Sequence, residues 1–107
     1  MNNPIEKDIC RILKTLEKAV DLPAFSLSDM SADELNMTEE RWAKCLSMLA
    51  ADKYIAGIRV YKNVMGEIRV QETTGICLTV SGLTYLRENS TMQKVLNAAK
   101  GIVELIP

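Results

Sequence analysis

Apolar residues recur along the first stretch of the chain at Ile5, Ile9, Ile12, Leu13, Leu16 and Val20. Steps of three and four place these positions on one side of an α-helix, so the spacing predicts an amphipathic helix. Asn3 supplies a side-chain cap, Pro4 suits the first helical position, and Glu6 sits where a carboxylate can return a hydrogen bond to the cap. Leu22-Pro23 ends the run. The other side carries Lys7, Asp8, Arg11, Lys14, Glu17 and Lys18, balanced in sign and therefore expected in water.

Phe25 marks a short extended piece over Ala24 to Ser26, and Ser31 with Glu34 forms an S-x-x-E box that predicts a short helix through Leu35. Thr38 caps a longer helix over 39–52, with Glu39 and Glu40 in the first turn, where carboxylates favour the positive end of the aligned peptide dipoles. Met37 and Trp42 are spaced as a hydrophobic staple across that start, and Trp42, Cys45, Leu46 and Leu49 form the buried stripe.

The period then changes to two. Tyr54 to Tyr61 and Glu67 to Glu72 alternate, with Ile58, Val60, Ile68 and Val70 inward, and Asn63 to Gly66 supplies the turn of a hairpin. Thr74-Gly75 breaks the second strand, and Ile76 to Leu78 is short and apolar enough for a third. Thr79 caps a helix in which Val80, Leu83 and Leu86 recur around Gly82. A glycine inside a helix costs about 1 kcal/mol relative to alanine. Gly82 is explained if a strand runs directly into this helix and the two backbones approach closely there. Ser90 and Gln93 open another helix, whose stripe is Met92, Val95, Leu96, Ala99, Ile102, Val103 and Ile106, expected to pack on the first helix.

This order predicts a mainly helical α+β fold that is winged-helix-like: a helix-turn-helix, a β-hairpin wing and an added C-terminal helix. One domain over 1–107 is expected, with core and wing in 1–79 and closing helices in 80–107.

Composition narrows the function more than the fold. Apolar residues at 48% and charged residues at 25% describe a folded globular chain rather than a disordered one. No apolar run approaches the roughly 18 residues of a membrane helix, and the charged amino terminus is unlike a secretory leader. The absence of histidine removes the commonest general base and transition-metal ligand. Cys10, Cys45 and Cys77 lack the paired spacing of a metal clip and lie among apolar neighbours, so they read as reduced core residues of a cytoplasmic protein. The only acidic concentration, Asp29, Asp33, Glu34, Glu39 and Glu40, matches no calcium loop and falls largely where helix starts place carboxylates. No catalytic residue, cofactor or metal is therefore expected.

Leu78-Thr79, Gly82, Tyr85-Leu86 and Glu88-Asn89-Ser90-Thr91, followed by a long amphipathic helix, resemble the YjcQ family of small bacterial and prophage proteins. Thr38-Glu39-Glu40 through Tyr54-Ile55-Ala56-Gly57 resembles the same family's passage from helix to strand. The resemblance implies a winged-helix-like fold and a phage-linked setting, with a structural or accessory role in a phage among its expectations. It implies no enzyme activity and brings no site residues.

Two surfaces remain for recognition. For nucleic acid, Arg41 and Lys44 fall on the free side of the 39–52 helix, alternation puts Arg59, Tyr61 and Arg69 on the outer face of the wing, and Lys62 lies beside its turn. Glu39 and Glu40, however, occupy the helix end that would approach phosphate, and a net charge of −1 supplies no attracting field. For protein, Val64 and Met65 are apolar at a hairpin tip, where they either pack back on the domain or enter a partner's groove. Ala98, Gly101 and Leu105 lie off the last helix's main stripe and suit a second helix, from another protein or a second copy. Charge sets the order of expectation: protein association first, a DNA-binding regulator second, membrane binding not at all.

Overall fold

The computed structural model describes residues 5–88. Within them the elements run α1 (Ile5–Ala19), a 3-10 turn (Leu27–Met30), α2 (Glu39–Ala51), β1 (Ile55–Lys62), β2 (Ile68–Leu78) and α3 (Val80–Glu88). This is an α+β arrangement of three helices and one antiparallel two-stranded hairpin. The expected cap at Asn3, the expected helix from Ser90 and its packing on α1 lie outside the described residues. No described helix is long and apolar enough to cross a membrane.

The helical spacing of α1 buries Ile9, Ile12, Leu13 and Leu16, as its pattern requires. Val20 does not join them. The helix ends at Ala19, and Val20 stands 67% exposed in the turn that follows. A larger departure is Asp8, expected on the wet side but only 1% exposed. Its Oδ2 accepts a hydrogen bond from Arg41 Nη1 of α2 at 2.7 Å, and Arg11 Nη1 lies 3.8 Å from Oδ1. The ion pair clamps the start of α1 to the start of α2.

Between these helices the sequence expectation is corrected. The piece over Ala24 to Ser26 pairs with no strand and is extended at Ser26, but the short helix is a 3-10 turn placed earlier, with Asp29 Oδ2 accepting from the Ser26 backbone N–H at 2.9 Å. Ser31 Oγ does accept from the Glu34 N–H at 3.3 Å, but only one helical turn follows, because Asn36 takes φ 58°. The α2 start is as expected: Thr38 Oγ1 accepts from the Arg41 N–H at 3.1 Å, and Met37 and Trp42 both pack against the core. Trp42 Nε1 donates to the Met30 carbonyl at 3.0 Å, joining α2 to the 3-10 turn.

The hairpin pairs Ile58 with Glu72, Val60 with Val70 and Lys62 with Ile68. No separate third strand exists. β2 continues through Thr74-Gly75 as a bulge, in which Thr73, Thr74, Gly75 and Ile76 face Gly57 alone before pairing resumes at Ala56 and Cys77. Along β2 the side-chain alternation keeps its phase across the bulge: Ile76 faces inward like Ile68, Val70 and Glu72 and is buried, and Cys77 faces outward like Arg69 and Gln71 and is exposed, contrary to the expectation that all three cysteines are core residues.

Gly82 lies where α3 crosses the start of the sheet. A Cβ there would overlap the Tyr54 carbonyl oxygen and stand 2.8 Å from Leu78 Cδ1. The strand-to-helix seam thus requires glycine, at the cost in helix propensity noted above. Thr79 fixes the seam from both sides, its Oγ1 accepting from the Gly82 N–H at 3.0 Å and donating to the Lys53 carbonyl at 2.7 Å. Tyr54 and Tyr85 stack across it with centroids 4.7 Å apart.

Candidate functional site

The hairpin tip is built around Asn63. Its Oδ1 accepts from the backbone N–H groups of Met65 at 2.9 Å and Glu67 at 3.0 Å, while its Nδ2 donates to Glu67 Oε1 at 2.9 Å. The Gly66 N–H closes the turn on the Asn63 carbonyl at 2.9 Å, and Gly66 takes φ 80°, which a residue without a Cβ adopts readily. This ordered turn holds out two apolar side chains. Val64 is fully exposed and Met65 is 78% exposed, so neither packs back on the domain.

Below the tip, the hairpin and the start of α2 enclose a cleft of about 710 Å³ lined by Glu39, Glu40, Lys44, Lys62, Glu67, Ile68 and Arg69. Its charges alternate rather than accumulate. Lys62, expected beside the turn, is registered with Ile68 and lines this cleft. Arg59, Tyr61 and Arg69 are exposed, as alternation predicts. The two arginines have local partners: Arg59 Nη2 donates to Gln71 Oε1 at 3.1 Å and its Cζ sits 5.0 Å from the Tyr61 ring centroid, and Arg69 Nη2 pairs with Glu67 Oε1 at 2.8 Å. Arg41 is not a free surface cation, because Asp8 holds its guanidinium. Lys44 is exposed beside Glu40 at the cleft. The six residues named for nucleic acid are thus divided among a helix clamp, a mixed-charge cleft and a sheet face on which Glu67 offsets Arg69 while Arg59 keeps its charge. Ala98, Gly101 and Leu105 lie outside the described residues.

The remaining chemistry is structural. Among the described residues, no group of three or more histidine, cysteine or acidic side chains is placed to hold a metal. Burial pushes the Cys10 thiol above its ordinary pKa, and pushes Cys45 up to about 11 with the Asp8 carboxylate adding to the effect. Glu17 is held below the usual carboxylate range, chiefly by the hydrogen bond from Lys14 and also by Arg87, which reaches it from α3.

Two residues that shape this surface were not singled out by sequence pattern. Asn63 reads only as a turn former, although an asparagine directly before an apolar pair and three residues before a glycine is a signal for such a side-chain-braced turn. Glu72 reads as a charge on the hairpin, but its Oε2 accepts from the backbone N–H groups of Leu27 at 3.1 Å and Ile76 at 2.9 Å.

The family model for the YjcQ protein matches residues 10–105, which spans α2, the hairpin and the seam at Gly82. The chain belongs to the YjcQ family. No curated protein and no solved structure matches it. Within this YjcQ-family chain, the site that combines exposure, apolar character and a fixed backbone is the tip at Val64 and Met65.

Proposed function

We propose that this YjcQ-family chain is a non-catalytic, winged-helix-like binding module that associates with another protein through its wing tip, in the cytoplasm and in a prophage-linked role. The observation that carries the reading is the pair Val64 and Met65, held in water on a turn braced by Asn63. Exposed apolar side chains gain most when a partner removes them from water, and a fixed backbone reduces the ordering cost of binding. Methionine adds a flexible, polarisable contact that adapts to a groove.

The arrangement of three helices and a hairpin supports the winged-helix reading, with α2 in the recognition position and the hairpin as the wing. Charge directs the module toward protein. Glu39 and Glu40 stand at the end of α2 that would meet phosphate, and the outer-face arginines of the wing are engaged by Gln71 and Glu67. The test is affinity capture from host lysate with wild-type chain and with Met65→Lys, followed by a binding titration against the protein retained. Met65→Lys lowers affinity at least tenfold, while its urea midpoint stays within the range of about 0.5 kcal/mol typical of a surface change. Equal affinity of both chains for every retained protein removes the tip from the function.

A further inference from the structure

The hairpin joins the helical body through a root that backbone pairing alone does not hold. Between the pairs Ala56 with Cys77 and Ile58 with Glu72 the ladder is interrupted. Gly57 at φ 87° and Gly75 at φ 106° turn the chain there, and Gly57 lies so close to the Gly75 carbonyl that a Cβ would overlap it. Glu72 is the residue on the hairpin side of this interruption. Its half-buried carboxylate ties the hairpin across the bulge to Ile76 and across space to Leu27 in the 3-10 turn.

Ile58 and Val70 rest against the core next to that root, whereas the residues beyond them up to the tip do not join the core cluster. A two-stranded ribbon with little to pack on is marginal by itself, so its direction depends on its root. Bulges re-aim the strands that carry them. Charge-assisted hydrogen bonds to backbone donors are stronger than neutral ones, and one oxygen here serves two elements.

We propose that Glu72 is the latch of a hinged arm: Gly57 and Gly75 form the hinge, and the Glu72 carboxylate sets the direction in which the hairpin carries its tip. The latch is independent of what the tip binds. Released, the hairpin keeps its own pairing from Ile58 to Lys62 and swings relative to α1 and α2.

Amide hydrogen exchange and residual dipolar couplings on Glu72→Ala and Glu72→Gln test this. In Glu72→Ala the Leu27 and Ile76 amides exchange about tenfold faster, the loss expected for one charge-assisted bond at each. The α2 amides keep their protection, and the hairpin amides no longer fit the alignment tensor of the helices. Glu72→Gln, which retains an uncharged acceptor oxygen, gives a smaller acceleration at the same two amides and decides the matter if the alanine variant does not fold. Unchanged exchange at Leu27 and Ile76 overturns the latch. So does acceleration that extends equally into α2, because that marks global destabilisation, and so does a hairpin that stays aligned with the helices after its two bonds are lost.

Discussion

At the scale of single residues, the buried corner between α1 and α2 decides what chemistry Cys10 and Cys45 can perform. Cys45 is buried near the Asp8 carboxylate, and both its burial and that charge disfavour a thiolate. Cys10 is likewise raised by burial, while Cys77 is exposed on β2. Labelling with a thiol reagent at pH 8 therefore modifies Cys77 alone in the folded chain, and all three cysteines after denaturation. The sign for Cys45 is fixed by its raised pKa: its proton remains bound until the pH approaches about 11, so raising the pH to 9 does not expose it to the reagent. Burial of Cys10 and Cys45 was legible from their apolar neighbours. Cys77 also has apolar neighbours, but it shares the outward phase of Arg69 and Gln71 along β2, and that alternation rather than its neighbours decides its exposure. Asp8 was missed for a different reason. Its charge suggests a wet surface, yet it lies three residues after Ile5 and four before Ile12, within reach of the buried stripe.

At the scale of elements, the seam between β1 and α3 turns on the missing side chain of Gly82. Gly82→Ala gains helix propensity of about 1 kcal/mol but drives a methyl group into the Tyr54 carbonyl, a backbone atom that cannot rotate away. The clash outweighs the gain, and a urea titration shows net destabilisation of about 2 kcal/mol. A chain as stable as wild type contradicts the close approach. This seam was legible because a glycine against a helical pattern is a conflict that tertiary packing must explain. The continuous β2 was less legible. Thr74-Gly75 has the local chemistry of a strand break, and only the pairing of Cys77 with Ala56 and of Leu78 with Ile55 shows that the ladder resumes. The 3-10 turn at Leu27–Met30 was also missed, although Ser26 and Asp29 carry its local signal, with the Ser26 N–H donating to Asp29 Oδ2.

At the scale of the whole molecule, helices clamped by Asp8–Arg41 and Glu17–Arg87 form the body, and the hairpin extends from it with an apolar tip. The alternation along the strands made the outward positions of Arg59, Tyr61 and Arg69 readable, but not the bond from Arg59 to Gln71, which depends on register across the hairpin. A net charge of −1 and engaged arginines leave few cations to displace counterions from a duplex. Titration with random duplex DNA at low salt consequently gives no binding; a steep decline of measurable affinity with salt reinstates nucleic acid as the partner. The most direct measurement of the proposed role places a photoreactive amino acid at position 65 in the native host, with a second chain carrying it at exposed Lys18 as comparison. Protein contact through the tip yields a discrete crosslinked protein from position 65 that is absent from position 18; no protein adduct at 65, or the same adducts from both positions, contradicts it.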